Sequence, residues 1–359
     1  MVTPVPTPAA AGPGSTARPR AVPPAVAHVD VVVPTVGRAS LPELVGLLCR
    51  ALPEGSDIVV VDDRPGDGPP LDVGPGDDRL RVVRSGGHGP AAARNAGWRA
   101  TRAPWVAFVD DDVDLPLDWV RGLIRDLREA PADVAAVQGR VEVPLPADRR
   151  PTDWERNVAG LDTAAWITAD LAVRRAALGE VGGFDERFPR AYREDTDLAL
   201  RLLDGGWRLA LGERQVQHPV RAAPWWVSVR LQRGNADDVL LERLHGPDWR
   251  ERIDPAGDAG GPRRGAWRTY PLTTALGAAA LVALAGGHRR LAVPAAAAWA
   301  VRTARFAWLR IGPGPRSAGE VAAMIATSAA IPPVACYHRA RGVARWRTAR
   351  QRPPGSPEP

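Results

Sequence analysis

No lysine occurs in the 359 residues, so all 47 basic side chains are arginine. With Ala, Gly, Pro and Val abundant, this bias fits a GC-rich genome. The net charge of +6 is therefore poor ground for a nucleic-acid partner. Cysteine is nearly absent as well. Cys49 and Cys336 lie far apart, which excludes a disulfide framework, and no Cys-x-x-Cys or Cys/His cluster suggests structural zinc. No internal repeat is detectable, which excludes solenoids and propellers. No Gly-x-Gly-x-x-Gly follows the first apolar run, so the dinucleotide-binding fingerprint is missing. The N-terminus lacks the basic start and unbroken apolar run of a secretory signal, so the bulk of the chain is expected in the cytosol.

What is present is a globular composition, 45% hydrophobic and 25% charged, at a length suited to two ordinary domains. The charge is uneven: from Pro262 onward fifteen arginines face only Glu320 and Glu358, so the body is net acidic and the tail strongly basic. Residues 1–26, rich in Pro, Ala and Gly, bury too little to offset chain entropy and are expected to be disordered. A folded domain is expected over 27–253, a polar Gly-rich linker over 254–265, an apolar and basic helical region over 266–340, and a disordered basic end over 341–359.

Within 27–253, short β-branched runs alternate with helical spacing. Residues 28–34, 57–63, 80–84, 105–112 and 134–138 read as strands, and 41–52, 91–101 and 117–129 as helices. That alternation predicts β-α-β units on a mostly parallel sheet, a Rossmann-like α/β fold. Beyond Gly139 the pattern weakens to a strand over 165–173, a helix over 195–203, and short strands over 207–211 and 215–217. Ligands of such sheets bind beyond the carboxyl ends of the strands. Pro34-Thr35, Asp62-Asp63 and Asp110-Asp111-Asp112 stand at three such ends, so three polar clusters are expected to converge on one crevice.

Three adjacent aspartates repel one another. They fit either a solvated turn with one of them capping the next helix, or a site for Mg2+ or Mn2+, which take carboxylate oxygens and accept phosphates beside them. Asp62-Asp63 fits a strand-ending turn or the recognition of a base or ribose. Arg94 is either a surface arginine or, aimed into the crevice, a charge-assisted partner for phosphate. Thr35 and Arg38 carry no signal singly. Glu194-Asp195 opens a helix, where acids complement the dipole; Asp195 there could equally be a general base for an acceptor hydroxyl. His218 reads as an edge histidine or as a further metal or phosphate contact.

In order, VVVPTVGR, IVVVDDRP, GPAAARNAG, WVAFVDDDVDLP, TADLAVRRAALGEVGGFDERF and REDTDLALRLLDGGWRL resemble glycosyltransferase family 2 over residues 30–219. The resemblance implies a GT-A fold and inverting transfer of a sugar from a nucleotide-diphosphate donor to an acceptor hydroxyl, with Mn2+ or Mg2+ as cofactor. It puts Pro34, Thr35, Arg38, Asp62, Asp63, Arg94 and Asp110 at the donor, and Asp111, Asp112 and His218 at the metal. Asp195 becomes the base, with Glu194 beside it, and Gly183, Phe184, Asp185 and Glu186 border the acceptor. Counting back from Pro116 favours Asp111 in the metal pair; the literal DxD spacing favours Asp110 with Asp112. The Gln-x-x-Arg-Trp signature of processive synthases is absent, and only Gln232-Arg233-Gly234-Asn235 stands in its neighbourhood, so a single transfer is expected.

The expected setting is envelope biosynthesis at the cytoplasmic face of the membrane, with a glycan or lipid-linked acceptor and no nucleic acid. Residues 271–287 and 321–337 are apolar but shorter than the roughly 20 residues of a span. If both crossed, six arginines would fall in the outer loop, against the positive-inside bias. Interfacial helices with arginines at the headgroups fit better. Two rivals stand beside this reading: a non-catalytic nucleotide-sugar-binding scaffold, and a sugar nucleotidyltransferase. The second is disfavoured because such enzymes lean on an active-site lysine.

Overall fold

The computed structural model describes residues 3–4, 28–74, 76–253 and 266–351. Its sheet has eight strands, the two-residue Thr3–Pro4 at one edge and seven more: β1 (Val29–Thr35), β2 (Ile58–Asp62), β3 (Leu80–Arg84), β4 (Trp105–Val109), β5 (Val134–Glu142), β6 (Asp170–Arg174) and β7 (Arg208–Gln217). β1, β2 and β4 are almost wholly buried, because helices cover both faces of the sheet. Alternation sends Val29, Val31 and Val33 of β1 to one face and Val32 to the other. The first face meets Leu41, Leu44, Val45 and Leu48 of α1 (Leu41–Ala51) and Leu123 and Leu127 of α3 (Trp119–Glu129). The second meets Ala93 and Trp98 of α2 (Pro90–Ala100) and Leu198 and Leu202 of α6 (Glu194–Asp204). Between α3 and α6 lie α4 (Asp153–Ala159) and α5 (Arg175–Val181).

The spatial order of the seven is β7-β5-β6-β4-β1-β2-β3. β3, β2, β1 and β4 are parallel, as expected, and β6 runs antiparallel to both β4 and β5. The two short strands expected over 207–211 and 215–217 are one strand, β7, paired parallel with β5. The register slips between Gln138 and Arg140, and there Arg214 turns fully inward. It lies between Asp126 of α3 (Nη1 to Oδ2 3.1 Å) and Asp170 of β6 (Nε to Oδ1 2.9 Å), both also buried. Two expectations about the chain ends change. Thr3–Pro4 pair antiparallel with Ala210 and Leu211 of β7; the rest of 1–26 and the linker 254–265 lie outside the described residues.

After the sheet come α7 (Val227–Arg230), a tight turn over Leu231–Gly234, α8 (Asn235–His245) and α9 (Trp249–Ile253). The tail is three helices, α10 (Ala266–Ala285), α11 (Arg289–Ile311) and α12 (Ala318–Arg345). α12 continues five residues past the boundary expected at 340, so 341–345 are helical. Among the described helices it alone is long and apolar enough to cross a membrane, by length and composition. Its buried stripe of Met324, Thr327, Ser328, Ile331 and Ala335 instead packs it along α7, the 231–234 turn and α8.

A shared arginine adds a polar tie between this unit and the domain. Arg310 of α11 reaches Asp153 of α4 (2.6 Å), Ser228 of α7 (3.0 Å), and Thr327 (2.8 Å) and Ser328 (3.0 Å) of α12. In return the backbone N–H of Asp153 donates to Glu320 of α12 at 2.8 Å.

Candidate active site

β4 ends at Val109 and runs straight into the three aspartates. Each is neutralised by a different arginine. Asp110 accepts from Arg94 at 2.8 Å, Asp111 pairs with Arg38, and Asp112 pairs with Arg221. Thr35, at the end of β1, donates to Asp111 at 2.5 Å, and Ser40 donates to the Asp111 carbonyl at 2.6 Å. Asp111 is thus buried with both carboxylate oxygens occupied, so its expected place in the metal pair would require Arg38 and Thr35 to give way. Pro34, beside Thr35, is partly exposed at the strand end.

Asp112 is different. A backbone bridge between Asp114 and Gln217 (2.8 and 3.0 Å) brings the loop after β4 against the end of β7. Asp112 then faces His218, Oδ2 to Nε2 3.7 Å. That is too long for a hydrogen bond, and cis ligands of one octahedral ion with bonds of roughly 2.1 Å sit about 3 Å apart, so the two side chains would have to close slightly to share an ion. The other ring nitrogen of His218 is buried without a protein partner. No cluster of three or more His, Cys, Asp or Glu side chains suited to a metal occurs among the described residues. Mg2+ and Mn2+ commonly take only one or two protein ligands and complete their shell with substrate phosphates and water. Asp112 and His218 fit such an ion; Arg221 now holds the carboxylate.

The β2 end divides its two acids. Asp62 is buried and grips Arg64 through two contacts of 2.8 Å, which hold its carboxyl down to about 2 and leave it nothing to offer a ligand. Of the two expected donor residues, Asp63 is the one left open to a ligand. That partly exposed carboxylate accepts from Ser85 (2.7 Å) and the Gly89 backbone N–H (3.0 Å).

Arg94 is not a surface residue, and within the crevice its guanidinium is held by acids rather than left open. It is buried on α2 and forks between Asp110 (2.8 Å) and Glu194 at the start of α6 (2.9 Å). One guanidinium therefore joins the strand-end aspartates to the acidic pair that begins 100 residues beyond Arg94 itself. Burial, and then the charge of Asp195, push the Glu194 carboxyl up against the pull of Arg94. Asp195 is also raised, chiefly by burial, against the lowering effects of the Thr196 backbone N–H (2.6 Å), Arg94 and Arg193. Its partly exposed carboxylate takes hydrogen bonds only from Thr196 among the described residues, and so keeps a face for a hydroxyl. Glu194, saturated by Arg94 on one oxygen and buried on the other, positions its neighbour. Just ahead, Arg193 takes a left-handed φ of 79°, fixed by Asp238 (2.8 Å) and by stacking over Tyr192 and Trp249.

The expected acceptor loop is mostly interior. Gly183, Phe184 and Asp185 are buried: Asn95 binds both backbone groups of Phe184, whose ring meets Phe108 edge-on, and Asp185 holds Arg187. These three pack inside the domain, and of the four only Glu186 is exposed. Sequence reasoning missed Arg221 and Trp154, whose indole donates to the Arg221 carbonyl at 2.7 Å. The closeness of Arg221 to His218 was the only available signal.

Residues 30–177 match the family model described as "Glycosyl transferase family 2". The pre-mycofactocin glycosyltransferase of Mycobacterium tuberculosis is 33% identical over 197 residues, covering 50% of this chain and 40% of that protein. The validoxylamine A glucosyltransferase of Streptomyces hygroscopicus subsp. limoneus is 30% identical over 225 residues, 50% of this chain and 49% of that one. The chain thus spans less than half the length of these curated relatives. Among solved structures, glucosyl-3-phosphoglycerate synthase from M. tuberculosis, in complex with Mn2+, uridine diphosphate and glucosyl-3-phosphoglycerate, is 18% identical, with a TM-score of 0.40 over 59% of this chain and 78% of its own.

Proposed function

We propose that the protein is an inverting glycosyltransferase of GT-A fold using a nucleotide-diphosphate sugar, a reading supported by the match of residues 30–177 to the glycosyl transferase family 2 model and by the mixed, mostly parallel sheet. The observation that carries this reading is the fork of Arg94, which sets Asp110, on the donor side, and Glu194, beside the free carboxylate of Asp195, at the two ends of one side chain. Asp63 and the β1 end would take the nucleotide. Asp195 would accept the proton of the attacking hydroxyl while the diphosphate leaves from the opposite face of the sugar, so the anomeric centre inverts. Asp112 and His218 would hold a divalent cation, which when bound stabilises charge on the leaving diphosphate.

A thermal-shift panel of nucleoside diphosphates, with and without Mn2+, tests the assignment. The matching diphosphate at about a hundred times its dissociation constant should add about 2.7 kcal/mol, which is roughly 5–10 °C for a domain of this size, and more with Mn2+ than without. No shift with any base would count against the donor site; a shift without turnover of any nucleotide sugar would favour the scaffold reading.

The tail supports a setting at a membrane surface. Leu281, Val282, Leu284, Leu291 and Val293 are all more than half exposed around the α10–α11 turn, beside Arg289 and Arg290. Apolar side chains flanked by arginine suit the headgroup region of an anionic bilayer. Since α12 lies along the folded domain through its buried stripe, interfacial seating is favoured over spanning. Carbonate extraction should accordingly release the protein into the supernatant; retention in the pellet would mean a true span.

A further inference from the structure

Charge is out of balance beside the acidic pair. Arg190, five residues before Asp195, pairs with buried Asp237 and donates to the Arg233 carbonyl at 3.1 Å, while its Nε is buried without a protein partner. Two close approaches crowd more cations against it. Gly234 abuts the Tyr192 ring, where a Cβ would come within 2.7 Å, so the turn carrying Arg233 is pressed onto the loop that leads to Asp195. Gly342 of α12 sits against Ala236, where a Cβ would meet the backbone at 2.8 Å, so Arg341 and His338 arrive on the same side. Burial, and then the positive charges of Arg233, Arg190 and Arg341, hold the His338 imidazole below its ordinary value.

The nearby acids are already committed. Asp237 is taken by Arg190, Asp238 by Arg193, and Glu242 by Arg339. The exposed side chains of Arg233 and Arg341 have no acidic partner among the described residues. Three guanidinium groups beside the single carboxylate of Asp237 leave an excess of positive charge, which is relieved by an anion with the forked geometry of phosphate. The turn, the 190–193 loop and α12 hold none of the residues assigned to the donor.

We propose that Arg190, Arg233 and Arg341, with His338, seat a phosphate ester carried by the acceptor, so that the hydroxyl reaching Asp195 belongs to a phosphorylated molecule. This rests on the glycosyl-transfer reading and narrows its acceptor class. The phosphate is either that of a soluble sugar or polyol phosphate or that of a lipid carrier, and both present the same group.

The test uses the full chain with its donor site filled by nucleoside diphosphate and Mn2+, titrated with inorganic phosphate against chloride at equal ionic strength. Wild type should gain thermal stability with phosphate. The double variant Arg233→Gln/Arg341→Gln, which removes two exposed side chains without acidic partners, should need about tenfold more phosphate for the same gain. Flotation on phosphatidylcholine vesicles containing phosphatidic acid separates the two sources. Weaker flotation of the variant assigns the site to a lipid-borne phosphate; equal flotation with a weakened phosphate response assigns it to a soluble one. An equal phosphate response in the two proteins, or none in wild type, overturns the proposal. Failure of nucleoside diphosphate to stabilise wild type would instead count against the enzyme assignment.

Discussion

Asp195→Asn should lower the rate of sugar transfer by on the order of 10²–10⁴, the usual worth of general-base assistance, while nucleoside-diphosphate binding stays within a few-fold of wild type. The amide keeps the size of the carboxylate and can still accept from the Thr196 backbone N–H, so the start of α6 keeps its shape. What it loses is the capacity to take a proton. The same substitution should raise the melting temperature. Burial has already pushed this acid up, so the folded state pays to keep it ionised at neutral pH, and an uncharged isostere removes that strain. The raised carboxyl also has a kinetic sign. A base must be deprotonated to act, so the acid limb of the rate profile should lie above the roughly 3.9 of an ordinary aspartate. Single-turnover rates across pH, alongside calorimetric titration of the diphosphate, check all three. Loss of donor binding in a folded variant would move Asp195 into a binding role.

The largest effect on stability is expected at Arg214. Its guanidinium is the shared counter-charge of Asp126 and Asp170, and it also donates to the Val137 carbonyl at 2.8 Å. The Trp119 indole and the backbone N–H of Glu213 supply further bonds to the two acids. Arg214→Met removes the only cation paired with either carboxylate among the described residues. It leaves two acids in the core, one of them already raised by burial. Breaking a buried ion pair from one side costs about 3–5 kcal/mol, which is a fall in Tm on the order of 10 °C here. The triple variant Arg214→Met/Asp126→Asn/Asp170→Asn should recover most of the loss, because the burial cost falls on the charges rather than on the side-chain shapes. Urea denaturation of the three proteins decides this. A single variant as stable as wild type would show that water already reaches the site.

The parallel half of the sheet was legible in the sequence because its strands are short β-branched runs, each closed by Asp, Pro or Gly. Their strand-end acids could be placed on one rim before any coordinates. The orientation of β6 was not legible. Asp170–Arg174 is as apolar as its neighbours, and direction depends on which strands it lies between. Nor was the inward turn of Arg214, since a register slip with its partner strand is what aims it. At the site, residue types suggested the chemistry but not the division of labour. Asp62 and Asp63 are adjacent and identical in kind; Arg64 takes one and frees the other. Asp110, Asp111 and Asp112 look equivalent until Arg94, Arg38 and Arg221 arrive from three remote stretches. GGFDE looked like a substrate border, but Asn95 and Phe108 had already claimed its interior. Pairing across such separations is written in the fold and leaves no local trace.

Arg310 makes the tail a rigid mount rather than a leash. A flexible tether would let the cleft sweep a range of heights above whatever plane the α10–α11 tip rests on. If that tip rests on a bilayer as proposed, a guanidinium shared among α4, α7 and α12 sets one stand-off instead, and a substrate on a longer or shorter spacer is expected to miss.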